Sequence, residues 1–153
     1  MTRLLLAIGF ATLLLAQKYT GPRPPKQDVL YLLHATNLVA TDVSEAKEEK
    51  RKNDTVYAVD GASSNARTPL AEPIFLLDSK TLRPERLNLY RLDVRNGRRE
   101  VVMSNKRSQK QLHLTMKRLD NGLYRIEASE YLQNGEYAIS PEGSNQVFLF
   151  QVY

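Results

Sequence analysis

Paired runs of alternating apolar and polar residues, joined by compact turns, are the feature that most restricts the fold. The clearest pair extends from Leu87 to Ser104 around the dipeptide Asn96-Gly97. Asn-Gly strongly favours the positive φ angles of a type I′ turn, which joins two antiparallel strands. Alternate residues of a strand face opposite sides, so this pattern indicates a sheet with one buried face. The sequence predicts a β-hairpin here.

The same pattern recurs along most of the chain. A second hairpin is predicted over 112–128 with its turn at Asp120-Asn121-Gly122, and a final pair comprises Glu136–Ser140 and Gln146–Val152. Shorter candidate strands lie upstream, at 29–34, 38–43, 56–59 and 72–77. Eight or nine short strands without βαβ alternation predict one all-β domain over residues 28–153, an antiparallel β-sandwich.

The charged segment SEAKEEKRK, residues 44–52, leaves two interpretations open. Ser44 could cap a short helix, but the segment has no apolar stripe, and a helix of this length is marginal without packing. The alternative, which we prefer, is an exposed hairpin arm that runs out along 38–50 and back along 54–60. Lys52-Asn53-Asp54 would then form its tip.

One short motif carries a resemblance to a known family. Leu132, Gly135 and Tyr137 form a Leu-x-x-Gly-x-Tyr sequence that leads into the penultimate predicted strand. This resembles the tyrosine corner of immunoglobulin-like β-sandwiches, and the resemblance implies that the tyrosine hydroxyl bonds back to the backbone of the preceding connection. The chain is also similar to small exported bacterial proteins of unassigned function that end in a Gly-Glu-Tyr strand. That likeness implies no activity.

The N-terminus has the layout of a secretory signal. Residues 1–16 contain one basic residue, Arg3, then an apolar run to Leu15 and the small residue Ala16. The run is shorter than the roughly 20 residues that a permanent membrane span requires. We therefore expect a cleaved signal peptide, a Pro-rich leader over 17–27, no transmembrane span in the mature form and a secreted or periplasmic location. An uncleaved N-terminal anchor is the alternative.

The sequence offers little for catalysis or cofactor binding. The chain has no cysteine, which excludes disulfides, thiolate metal sites and cysteine nucleophiles. His34 and His113 lie on different predicted strands without neighbours at metal-ligand spacing, and no phosphate loop or dinucleotide fingerprint occurs. We expect no catalytic residue, no metal and no cofactor.

Basic residues cluster in one part of the chain. The 22 Lys and Arg residues exceed the 17 Asp and Glu residues, and the segment 95–110 holds six basic residues against one glutamate. The segment has no interleaved aromatic residues, which argues against nucleic acid and leaves an anionic lipid surface or acidic polymer as its ligand. The candidate anion-binding residues are Arg95, Arg98, Arg99, Lys106, Arg107 and Lys110.

Three functions are therefore open. The one we favour is an exported, non-enzymatic β-sandwich that binds an envelope or extracellular protein partner or packs in an envelope assembly. A second is an accessory binder of anionic polymer or membrane surface through 95–110. A third is a small hydrolase whose acidic and histidine side chains meet only on folding. The fold class alone cannot distinguish them.

The signal interpretation makes a direct prediction. The mature protein should begin at or near Gln17, because the small residue Ala16 ends the apolar run. Intact-mass measurement of exported protein checks this. A mass that still includes residues 1–16 would show instead a domain anchored by its N-terminus.

Overall fold

The computed structural model describes residues 18–104 and 111–153, and within them thirteen β-strands form the domain. Residues 1–16, with the expected signal peptide, lie outside this description. The strands are β1 (Leu30–His34), β2 (Asn37–Ala40), β3 (Asp42–Glu45), β4 (Lys47–Arg51), β5 (Asp54–Asp60), β6 (Arg67–Thr68), β7 (Ile74–Asp78), β8 (Leu87–Arg95), β9 (Arg98–Ser104), β10 (Leu114–Asp120), β11 (Leu123–Ala128), β12 (Gly135–Pro141) and β13 (Gln146–Val152).

The strands form two sheets, which confirms an all-β, antiparallel fold consistent with a sandwich. The smaller sheet has the order β10-β11-β7-β1-β2, and the larger has the order β3-β13-β12-β8-β9-β5-β4. The short strand β6 adds to β13 in parallel, and the other pairs among the described residues are antiparallel. The helical content of the described residues is one 3-10 turn at Pro84–Arg86.

The larger sheet closes on itself. Its two end strands, β3 and β4, are separated in the chain by Ala46 alone. The segment 42–51 therefore pairs with β13 through its first half and with β5 through its second half. The Ala46 amide donates to the Asn145 carbonyl at 2.8 Å, which holds the junction beside the β12–β13 turn. The result is a barrel, because both ends of the sheet are one stretch of chain.

The segment 44–52 is thus strand except for Ala46 and the turn residue Lys52, and the preference for a hairpin over a helix is confirmed. β4 and β5 pair from Lys47–Ala58 to Arg51–Asp54, with the turn at Lys52-Asn53. The expectation of an exposed arm is wrong, because β5 also pairs with β9 along its whole length. The hairpin is one wall of the barrel.

The predicted hairpin over 87–104 is present, and its strands diverge beyond the turn. Asn96 and Gly97 have φ angles of 50° and 70°, as a type I′ turn requires. β8 and β9 pair only from Arg95–Arg98 to Asp93–Glu100. Beyond that point β8 pairs with β12 on its other side, and β9 continues along β5. This divergence leaves a cleft in the barrel wall. The predicted hairpins β10–β11 and β12–β13 are also present.

Two apolar cores follow from this arrangement. The first lies between the two sheets and contains the aromatic group Phe75, Phe150 and Tyr137, in which Phe75 meets Phe150 edge-on at 5.0 Å and Tyr137 stacks on Phe150 at 5.5 Å. The second contains the alternate residues of the barrel strands, Ala46, Val59, Leu92, Val101, Ala138, Val147 and Leu149. β12 and β13 are buried on both faces over most of their length, as is the first part of β8, and this accounts for the continuous apolar run 147–150.

An ion-pair ladder covers the outer face of the barrel wall formed by β4, β5 and β9. Arg98 donates hydrogen bonds from both of its terminal nitrogens to the Glu49 carboxylate, at 2.8 and 3.1 Å. Arg51 likewise donates to both carboxylate oxygens of Glu100, at 3.2 and 3.1 Å. Residues directly opposite each other on neighbouring strands point to the same side of the sheet. Glu49 lies opposite Val56, so the ladder covers the face that carries Val56, which is 1% exposed. The hydrogen bonds from Arg98, with burial opposing them, lower the pKa of Glu49.

The motif residues Leu132, Gly135 and Tyr137 pack at the start of β12. The Tyr137 hydroxyl donates to the Gln133 carbonyl at 2.6 Å. A Cβ at position 135 would lie 3.3 Å from Nη2 of Arg91, which donates to the Asn134 carbonyl at 3.1 Å. Gly135 thus makes room for an arginine that holds the preceding loop.

The predicted Pro-rich leader contacts the domain. Pro24 is buried, and Arg23 forms an ion pair with Asp120 in the β10–β11 turn. At the domain start, Asp28 accepts from the backbone amides of Lys80, Thr81 and Leu82 at 2.8 to 3.1 Å. Burial acts to raise its pKa, but these hydrogen bonds lower it to about 2. Over 18–104 and 111–153, no helix has the length and apolarity to cross a membrane.

Replacing Tyr137 with Phe should lower the free energy of unfolding by about 1–3 kcal/mol, because the buried Tyr137 side chain loses its partly buried hydrogen bond to the Gln133 carbonyl. Urea unfolding measures this. Tyr153→Phe is the matched control, since Tyr153 is 53% exposed and should lose much less. Equally small losses at both positions would contradict a stabilising role for the Tyr137 hydroxyl.

Candidate functional site

A cavity of about 620 Å³ lies inside the barrel. Its walls are the inward-facing residues of β4, β5, β8, β9, β12 and β13, and its open end is rimmed by the β12–β13 turn, Pro141 to Asn145. This is the end at which β8 and β9 diverge, because Leu87 and Pro141 are register partners there. Ligand cavities in proteins commonly have volumes of roughly 300–1,000 Å³ with mostly apolar walls. The cavity is therefore the candidate binding site.

Two tyrosines and two carboxylates line the cavity. The Tyr57 hydroxyl donates to Oε2 of Glu48 at 3.4 Å, a long hydrogen bond. Tyr90 is the second tyrosine of the lining. Burial raises the pKa of Tyr90, and the negative charge of Glu142 and the neighbouring Tyr57 raise it further. The open end thus combines polar, aromatic and negatively charged groups.

Arg99 lies at the opposite end of the cavity and is 5% exposed. It donates through Nη1 to Oγ of Ser64 at 2.6 Å, through Nε to the carbonyl of Gly61 at 2.9 Å and through Nη2 to the carbonyl of Asp60 at 3.1 Å. Nη1 also lies 3.6 Å from Oε2 of Glu136, which is 4% exposed. The positive charge is neutralised inside the barrel.

Ser64 connects the two charges. Its amide and hydroxyl both donate to Oε2 of Glu136, at 3.1 and 2.6 Å. The other carboxylate oxygen, Oε1, is buried and has no hydrogen-bond partner. The loop that carries Ser64 is therefore fixed to the barrel by an ion pair and its hydrogen bonds, and we call Arg99, Glu136 and Ser64 the floor cluster.

The structure divides the basic residues that the sequence grouped together. Arg99 faces the barrel interior, Arg98 is paired with Glu49 on the outer face, and Arg95 is exposed beside the Asn96-Gly97 turn. Because successive residues of a strand face opposite sides, Arg98 and Arg99 cannot contact one surface. The other three candidates, Lys106, Arg107 and Lys110, lie outside the described residues.

The two histidines lie away from the cavity. Nε2 of His34 is 2.9 Å from Oγ1 of Thr68, and His113 is exposed just before β10. Neither residue lines the cavity. In the part of the chain that the structure describes, no group of three or more acidic or histidine side chains is placed to hold a metal ion.

The sequence contains a signal for the charged residues of the floor cluster. Arg99 alternates with Val101 and Met103, and Glu136 alternates with Ala138 and Ser140. The period of two places each charge on the face that its apolar neighbours bury. Tyr57 and Tyr90 gave no such signal, because tyrosine is common on either face of a strand.

Comparison with protein-family models, with curated proteins and with solved structures finds no match to this chain. The site must therefore be interpreted from its own geometry.

Replacing Arg99 with Met should destabilise the protein by about 3–5 kcal/mol, because Glu136 would keep a buried charge without its partner. Chemical denaturation of wild type and variant measures the loss. Arg95→Met is the matched control, and at this exposed position the change should stay within about 0.5 kcal/mol.

The double variant Arg99→Met/Glu136→Leu distinguishes charge from packing. Replacing a buried ion pair by apolar residues is often neutral, so the double variant should recover most of the loss. A double variant no more stable than Arg99→Met would contradict the assignment of the loss to an unpaired Glu136.

Proposed function

We propose that this protein is a non-enzymatic binding domain that takes a small ligand into the barrel. The observation that carries the proposal is the cavity of about 620 Å³, which opens at the end where β8 and β9 diverge. Its walls contain Val59, Leu92, Val101, Val147 and Leu149, which suit an apolar ligand body. The tyrosines at the open end provide polar groups that would orient the ligand.

The floor cluster supports a binding role rather than a reactive one. All three guanidinium nitrogens of Arg99 donate hydrogen bonds to oxygen acceptors. The Ser64 hydroxyl donates to the Glu136 carboxylate. A nucleophilic serine needs a base that can take its proton and access to its substrate. Ser64 is 3% exposed and touches an arginine already neutralised by Glu136, so the cluster acts as the closed end of the barrel.

The predicted location and fold family remain part of this proposal. We infer that the protein is exported, on the basis of the signal-like residues 1–16. We also infer that the Leu132–Tyr137 connection is a tyrosine corner of the immunoglobulin-like kind, since the Tyr137 hydroxyl bonds four residues back. The expectation of a protein partner stays a prediction. The geometry favours a small ligand because the cavity lies within the barrel.

Binding of the neutral fluorophore Nile red tests the proposal. Wild-type protein should bind it at one site with enhanced emission, because the dye moves from water into an apolar cavity. A ligand at a hundredfold excess over its Kd should stabilise the fold by about 2.7 kcal/mol, which thermal unfolding detects.

A cavity-filling variant and its matched control define the site. Val101→Phe places a phenyl ring among the cavity walls and should abolish binding, whereas Val94→Phe makes the same change at a residue that is 49% exposed and should not. Far-UV circular dichroism confirms that both variants fold. Absence of dye binding by wild type, or equal binding by Val101→Phe, would overturn the proposed function.

A further inference from the structure

The charges around the cavity indicate which ligands it would accept. The carboxylates that line it, Glu48 and Glu142, both lie towards its open end. Glu48 pairs with Lys50 at 3.2 Å and Glu142 with Arg86 at 4.0 Å, and all four side chains are exposed. Glu48 also accepts from the Tyr57 hydroxyl at 3.4 Å. Exposed ion pairs of this kind contribute little free energy, so a ligand cation could replace either basic partner at small cost.

The positive charge of Arg99, at the closed end, is paired with Glu136 and does not neutralise Glu48 and Glu142. Arg99 is bonded to Ser64 and to two backbone carbonyls and lies 3.6 Å from the carboxylate of Glu136. An anionic head group placed against Arg99 would therefore meet Glu136 as well, and would have to displace hydrogen bonds already formed. The described lining thus disfavours an anion at both ends.

Aromatic rings accompany the two carboxylates. Tyr57 and Tyr90 line the same part of the cavity, and Tyr57 bonds to Glu48. A tyrosine ring attracts a cation through its negatively polarised face, and this attraction grows when water is excluded. Below the tyrosines the walls become apolar, with Leu92, Val101 and Leu149.

We propose that the ligand is an organic cation with an apolar chain, an alkylammonium, whose ammonium group lies among Tyr57, Tyr90, Glu48 and Glu142 and whose chain extends along the barrel walls. This inference rests on the proposed function, because it assigns a chemical class to the ligand of the same cavity. The carboxylates balance the positive charge, the tyrosines provide cation–π contacts, and the walls bury the chain.

Three probes with the same alkyl chain test the inference on the full mature protein. They are octyltrimethylammonium, octanol and octanoate, titrated by isothermal calorimetry below their aggregation concentrations. The cation should bind about tenfold more tightly than the alcohol, the ratio expected from one good cation–π contact, and octanoate should bind most weakly.

Substitutions at the open end should weaken binding of the cation and leave binding of the alcohol nearly unchanged. Glu48→Gln/Glu142→Gln and Tyr90→Leu should each weaken octyltrimethylammonium about tenfold and leave octanol within about twofold. Glu72→Gln is the matched control, since Glu72 is exposed and does not line the cavity. Val101→Phe should reduce binding of all three probes.

The outcomes separate this inference from the function on which it rests. If no probe and no Nile red binds, the cavity is not a ligand site and both proposals fail. If octanol or octanoate binds as tightly as the cation, or the double glutamate variant binds the cation unchanged, the cation inference is overturned while cavity binding stands. Selective loss of the cation in both open-end variants supports it.

Discussion

The segment 42–51 determines the architecture, because one stretch of chain supplies both ends of the larger sheet. It pairs with β13 up to Glu45 and with β5 from Lys47, and the Ala46 amide is bonded to Asn145 at the junction. Closure joins the two end strands, β3 and β4, whose edges would otherwise be exposed to unwanted pairing. It also creates an interior distinct from the space between the sheets, and the protein therefore has two cores.

Burial of strands on both faces follows from this closure. β8, β12 and β13 carry one set of side chains into the barrel and the other into the core shared with the smaller sheet. An ion pair on the inner face of the barrel, here between Arg99 on β9 and Glu136 on β12, is almost fully buried and must be matched internally. Arg99 and Glu136 meet that condition through Ser64 and two carbonyls, although Oε1 of Glu136 remains without a donor. An unmatched charge there would carry a desolvation cost of several kcal/mol.

Local sequence patterns predicted the three long hairpins and their turns, but they predicted eight or nine strands where the described residues contain thirteen, and β6 was missed. Asn96-Gly97 fixed one hairpin because the dipeptide accommodates the φ angles that the turn requires, and the alternation around Gly122 fixed another. Closure and strand divergence could not be predicted in this way. Which strand follows which in a sheet depends on pairings between residues far apart in the chain, and no local periodicity records them. The basic segment shows the same limit, since Arg98 and Arg99 are adjacent in sequence and face opposite sides of the wall.

A cavity of this size would ordinarily weaken a fold that has no disulfide, because protein interiors are close-packed and unmet van der Waals contacts cost stability. The walls around it are supported from outside. The first core anchors the outer faces of β8, β12 and β13, and the ladder of Glu49, Arg98, Arg51 and Glu100 covers the outer face of β5 and β9. Collapse onto the cavity would require breaking one of these supports. The barrel therefore keeps its interior open through packing elsewhere, and the floor cluster closes only the end opposite the diverging strands.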